Sequence, residues 1–399
     1  MSELASHYSR FRVGERLLLT GHSHQAWPDV AFEAQQRAWL DAAELVDAKW
    51  ARAAEVASDV RRGWRRLLQD GRGAIALGVN THELVTRFLS AVLPMFGAAS
   101  AAGRPPSPSA IRRSRLVTTD GEFHTIRRQL DRIAEEGVEV VKVRARPVET
   151  LSERLCACLD DRVSAALVSS VLFETGEIVP HLATVAEACT RHGVELLVDA
   201  YHHVNVVPFE PAGLEQAFIV GGGYKYCQLG EGNCFLRVPA ESTLRPVLTG
   251  WFSEFGELAA AGRAGEVPYP TGDERFAGAT YDPTSHYRAA AVFAFHEQMG
   301  LTPRRLREIS QHQTRLLAAG FEALDIDPSV ARLVTMPPET RAGFVAIHSP
   351  RASELVVSLR RRGEHTDARG EMLRLGPAPY LSDAQLAQAI EVLGGVLRH

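Results

Sequence analysis

The chain's 399 residues exceed what one simple core needs and point to two domains, one large and one small. With 44 basic against 48 acidic residues, the net charge of −4 gives no electrostatic footprint for nucleic acid or an anionic membrane. Hydrophobic residues make up 45% and charged ones 23%, ordinary for a soluble protein, and no run reaches the roughly 18 apolar residues of a membrane span.

The opening stretch MSELASHYSRFRVGERLLL spreads its charges and holds no apolar signal core. The cysteines, Cys156, Cys158, Cys189, Cys227 and Cys234, form no CxxC pair. Their odd count predicts reduced thiols and a cytoplasmic home. Residues 29–69 read as helical and link the two parts. Their arginines from Arg52 to Arg66 alternate with Val56, Val60, Trp64, Leu67 and Leu68, the pattern of an amphipathic helix rather than a binding patch.

From about residue 70, β-rich runs alternate with helical ones. The runs are AIALGV (74–79), RLVTT (115–119), VEVVKV (138–143), AALVSSV (165–171), VELLVDA (194–200), AFIVGGG (217–223) and FLRV (235–238). Between them stand HELVTRFLSAVLPMF, HTIRRQLDRIAEEG and LATVAEACTRHG, the last two stopped by Gly137 and Gly193. This rhythm predicts an α/β fold, a mostly parallel seven-stranded sheet with helices on both faces. The segment GAASAAGRPPSPSA (97–110) reads as a flexible surface loop within it. After FLRV the rhythm breaks, and from residue 286 a long helix and mixed elements predict a smaller α+β domain. The expected division is 50–285 for the large domain and 1–49 with 286–399 for the small one.

Ligands of parallel α/β sheets bind at the carboxyl ends of strands. Asn80, Thr81 and His82 follow the first run and open a helix, which makes either a phosphate seat or a plain N-cap. Asp199 ends an apolar strand and needs a partner there, a pyridinium nitrogen or a helix cap, with His202 close behind. In GGGYKYCQLGEGNCF (221–235), Lys225 follows an apolar strand and three glycines that allow close approach. Desolvation there favours the neutral amine, the form that makes a Schiff base. Lysines are scarce, and Lys49 and Lys142 are the only others.

The order of Thr81, EFHT (122–125), Asp199-x-x-His202, Tyr224-Lys225-Tyr226, Gly250-Trp251-Phe252 and LRLGPAPY (373–380) resembles kynureninase. More broadly it resembles the class V aminotransferase family within fold type I of the pyridoxal phosphate enzymes. The likeness runs from about Leu18 to the C-terminus. It implies pyridoxal 5'-phosphate carried on Lys225, with Asp199 pairing the pyridine nitrogen so that the ring serves as an electron sink. It also implies Thr81, His202, Tyr224 and Trp251 near the phosphate or ring, and Phe123 or His124 stacked on the ring. Arg374 matches the arginine that takes the substrate α-carboxylate. The family resemblance further implies a homodimer with sites at the interface, Trp251 and Thr280 reaching across it. Thr280 reads equally as a turn residue.

A kynureninase would cleave the Cβ–Cγ bond of kynurenine or 3-hydroxykynurenine, or of a related γ-keto amino acid, with water and release alanine. Lys225 would move the Cα proton, and Tyr224 or Tyr226 would relay protons. The chain departs from the family pattern at GHSHQAWP (21–28), where kynureninases show a GNSLG-like segment. His22, Ser23 and His24 are thereby expected beside the substrate, or else in a hydrogen-bonded loop. A β-lyase, desulfinase or epimerase on the same fold stays open. Persulfide chemistry is excluded because residues 340–399 contain no cysteine. A metal hydrolase built on His22, His24, His124, Asp199 and His202 would leave Lys225 and its glycines unexplained, so no metal is expected.

Overall fold

The structure, a computed structural model, describes residues 3–93, 113–257 and 267–398; the loop expected over 97–110 lies outside the described residues. After 3-10 turns at Glu3–Phe11 and Val13–Glu15 come strand β1 (Leu17–Leu18) and helices α1 (Val30–Leu45) and α2 (Lys49–Leu67). Next come β2 (Ala74–Gly78), α3 (Thr81–Val92), β3 (Arg115–Thr119), α4 (His124–Glu135) and β4 (Glu139–Val143). After these follow α5 (Leu151–Cys156), β5 (Val163–Ser169), α6 (Leu182–His192), β6 (Glu195–Asp199), β7 (Phe218–Gly222) and β8 (Cys234–Val238).

Strands β2 to β8 form one seven-stranded sheet in the order β2-β8-β7-β6-β5-β3-β4. The pairings among β3, β4, β5, β6 and β7 are parallel, and β8 runs antiparallel to both β7 and β2. Alternate residues of each strand serve opposite faces. Ile75, Val117, Val168 and Val198 pack with Trp64 of α2 and Val185 of α6. Their neighbours Ala76, Leu116, Leu167 and Leu197 pack with Phe88 of α3 and Leu130 of α4. Both faces are therefore covered, which explains why β3, β5, β7 and β8 are buried along their whole length. The edge strand β4 exposes Glu139 and Lys142, charges that discourage further pairing.

On α2 the apolar residues Val56, Val60, Trp64 and Leu67 are buried as the periodicity requires. Trp64 lies 4.4 Å from Phe235 and 5.3 Å from Phe293 between ring centroids, and truncating it would cost about 3–5 kcal/mol. Helix α6 stops at Gly193, whose φ of 61° suits a residue without a Cβ.

The remaining elements are α7 (Thr284–Gln298), α8 (Pro303–Ala323), β9 (Arg332–Leu333), β10 (Val345–His348), α9 (Ala352–Arg361), β11 (Glu364–His365), β12 (Asp367–Arg369), β13 (Met372–Leu375) and α10 (Asp383–Leu397). An antiparallel sheet in the order β12-β13-β10-β9 packs on α8, α9 and α10. Both chain ends share this second core, Tyr8 and Leu19 with Leu317, Phe321 and Leu393. None of the described helices is long and apolar enough to cross a membrane.

Candidate active site

Strands β2, β3, β5, β6 and β7 all end on one edge of the sheet, and a cavity of about 230 Å³ opens there. Its wall contains Asn80, Thr81, Phe123, Ser169, Phe173, Asp199, Tyr201, His202, Tyr224 and Lys225. Seven of these ten were singled out from sequence. Ser169, Phe173 and Tyr201 were missed.

Lys225 follows β7 after Gly223 and is 5% exposed. Its Nζ lies 2.6 Å from His202 Nε2 and 4.7 Å from the centre of the Tyr201 ring. Burial pushes this amine down to about 7, against the opposing pull of Asp199. Asp199 ends β6. Its Oδ1 accepts the Tyr201 N–H at 2.8 Å, while Oδ2 receives no hydrogen bond among the described residues. Burial raises this carboxyl above its ordinary value, and Lys225 draws it back. At the far side Asn80 caps α3, its Oδ1 accepting the Glu83 N–H at 2.9 Å. The capping role expected of Asn80 is thus present, and it sets the positive end of α3 at the cavity.

Beneath the wall lies Glu122. Its carboxylate accepts hydrogen bonds from the Thr119 hydroxyl (2.6 Å), the Ser169 hydroxyl (2.6 Å) and the Ser169 N–H (3.1 Å). Burial raises it to about 7, and the nearby Asp199 adds to the rise. The contacts tie the ends of β3 and β5 together. EFHT carried this glutamate in plain view.

Of the two candidates for ring stacking, Phe123 is in the wall, 5.2 Å from Lys225 Nζ, and His124 is exposed outside it. Tyr224 is in the wall, whereas Tyr226 turns inward, 4% exposed, against Gly343. Trp251 and Thr280 also lie outside the cavity of their own chain, exposed, with Trp251 Nε1–H donating to Thr280 Oγ1 at 3.2 Å.

The GHSH segment divides. His24 is exposed and stacks on Tyr224 at 4.7 Å, with Ser23 Oγ 3.1 Å from its Nδ1. His22 is wholly buried and bonds Asp367 Oδ1 through Nε2 at 2.7 Å, so it does not face the cavity. Arg374 is 2% exposed and is absent from the cavity wall. Its Nε and one Nη donate to Asp367 at 2.9 and 2.6 Å, and the other Nη donates to the Phe173 carbonyl. Burial alone would raise Asp367, but His22 and Arg374 hold it well below the usual carboxylate range. No group of three or more His, Cys, Asp or Glu among the described residues could hold a metal ion. The five cysteines are unpaired.

No family model matches the chain. It is 26% identical to the kynureninase of Deinococcus radiodurans, across 96% of this chain and 90% of that protein. It is 24% identical to YcbU, an uncharacterized aminotransferase of Bacillus subtilis, across 60% of this chain. The match spans 62% of YcbU, less than two thirds of its length. Among solved structures, C-DES with glycine covalently linked to its PLP cofactor superposes with a TM-score of 0.77 at 17% identity, covering 98% of both chains. The cysteine desulfurase of Thermococcus onnurineus superposes with a TM-score of 0.76 at 14% identity, covering 96% of this chain and 95% of that one. This protein has the class V aminotransferase-like fold of the fold type I pyridoxal phosphate enzymes.

Proposed function

We propose that the protein is a pyridoxal phosphate enzyme acting on an α-amino acid, and that it cleaves Cβ–Cγ bonds with water as kynureninases do. Kynurenine, 3-hydroxykynurenine or a related γ-keto amino acid would be the substrate and alanine a product. The observation that carries this reading is the buried Lys225 amine, held near neutrality in a cavity shared with the Asp199 carboxylate and the start of α3.

These residues fit the coenzyme. Lys225 would hold its aldehyde carbon, the free Oδ2 of Asp199 its ring nitrogen, and the N-terminus of α3 with Thr81 its phosphate. Phe123 and Tyr201 supply apolar ring faces on the wall. When bound, the coenzyme supplies an electron sink for the charge left at the substrate Cα.

The protein's own groups do the rest. Arg374 orients the substrate through its carboxylate. Lys225, which burial lowers to about 7 so that a large share is neutral at physiological pH, takes the Cα proton as a general base and returns protons later. Tyr224 is better placed than Tyr226 to pass protons, because it shares the cavity with Lys225. Phe123, Phe173, Tyr201 and Tyr224 limit the entry of water. The exposed positions of Trp251 and Thr280 suit a homodimer in which each copy serves the other's site.

The test is a substrate panel on purified, coenzyme-loaded protein with alanine release as the readout. Kynurenines should yield alanine and a fluorescent anthranilate. Inert kynurenines, with cleavage of a β-sulfinyl alanine instead, would transfer the protein to the β-lyase and desulfinase reading.

A further inference from the structure

Asp367 and Arg374 are direct partners on the antiparallel strands β12 and β13, joined through Gly370 at a φ of 54°. The hairpin therefore fixes a carboxylate against the Nε edge of the guanidinium. An arginine has five N–H donors. Asp367 takes two and the Phe173 carbonyl a third, which leaves one N–H on each terminal nitrogen without a protein partner among the described residues. These two remaining donors are of the kind a carboxylate accepts.

His22 supports the arrangement from behind. Its bridge-forming neighbour Thr20 pairs with Gly376, two residues past Arg374, so segment and strand are held in register. Gly376 has no side chain where one would collide with His22 Nδ1. Phe344 lies under both groups, 4.7 Å from the His22 ring and 5.6 Å from Arg374 Cζ. Burial keeps His22 neutral, lowering it to about 4, so its bond to Asp367 is donated by Nε2–H. Arg369 is 3.7 Å from the other Asp367 oxygen.

We infer that His22 and Asp367 are positioning residues, a buried brace that fixes the plane of Arg374 and so sets the affinity for a substrate α-carboxylate. The inference rests on the proposed carboxylate role of Arg374. The sequence places His22 either beside the substrate or in a hydrogen-bonded loop; the brace gives it an indirect part, one layer behind.

The test uses coenzyme-loaded protein and the visible absorbance change on adding glycine, compared with methylamine, which lacks a carboxylate. His22→Leu and Asp367→Asn should each raise the half-saturating glycine concentration about tenfold, equal to about 1.4 kcal/mol. Methylamine should stay within about twofold, and His22→Gln, which keeps a donor near Nε2, should stay within about threefold for glycine. Unchanged glycine values overturn the brace. Lower values also overturn it, because Asp367 would then be a competitor for Arg374. An equal change for methylamine shows an effect on Lys225 or the fold and overturns it too. Should one variant fail to fold, the other residue's variants decide. Arg374→Lys separates the two levels. If it leaves glycine binding unchanged, the carboxylate role itself fails; if it weakens glycine binding while the His22 and Asp367 variants do not, only the brace fails.

Discussion

Removing the Asp199 carboxylate should move the protonation midpoint of Lys225 further down. In the native protein burial lowers this amine from 10.5 to about 7, with Arg374 and Arg369 acting in the same direction. Asp199 is the largest opposing influence, and Asp367 is a smaller one. The displacement corresponds to about 5 kcal/mol of preference against the charged amine. At pH 7 about half of the amine is then neutral, roughly a thousandfold more than for a lysine at its ordinary value. In Asp199→Ala the midpoint should fall by about one unit or more, since a nearby negative charge no longer favours the ammonium. The assay is competitive acetylation of coenzyme-free protein as a function of pH. Mass spectrometry would quantify the Lys225 peptide against those of Lys49 and Lys142, the other two lysines. A native midpoint near about 10, or an upward move in Asp199→Ala, would refute this account of the site's charge balance.

Asp199→Glu should retain more coenzyme and activity than Asp199→Ala, as measured by visible absorbance and turnover; equal values would remove Asp199 from the site. Arg374→Lys keeps the charge but loses the paired donors, so KM for the working substrate should rise about 10-fold or more with coenzyme absorbance normal. Glu364 is fully buried with neither carboxyl oxygen hydrogen-bonded among the described residues, and burial raises it to about 8. A carboxyl raised on folding leaves its full stability below the ordinary value of 4.5 and loses it as pH rises toward 8. Glu364→Gln should therefore stabilise the protein by on the order of 3 kcal/mol at pH 7 and far less at pH 4.5, by chemical denaturation; a gain independent of pH would contradict this.

The large sheet was legible because its strands alternate with helices and end in residues that differ from their apolar interiors. The antiparallel direction of β8 was not, since FLRV carries no mark of direction and its pairing depends on the turn after Lys225. That turn also hid which tyrosine faces inward. Strand alternation ends at Gly222, so the positions of Tyr224 and Tyr226 follow from loop geometry rather than from period two. Phe123 and His124 diverge for a related reason, His124 being the first residue of α4 and Phe123 the residue before it. The brace at Arg374 left a trace in sequence, an aspartate, a turn glycine and an arginine in HTDARGEMLR. Its third member, His22, comes from the other end of the chain, brought there by the parallel pairing of β1 with β11 and the Thr20–Gly376 bridge.

The central claim is that Lys225 carries pyridoxal phosphate, and borohydride trapping tests it most directly. Protein incubated with the coenzyme should be yellow and lose its visible band on reduction. Peptide mass spectrometry should then find the pyridoxyl adduct on Lys225 and leave Lys49 and Lys142 unmodified. An adduct confined to another lysine, or none at all, would contradict the account.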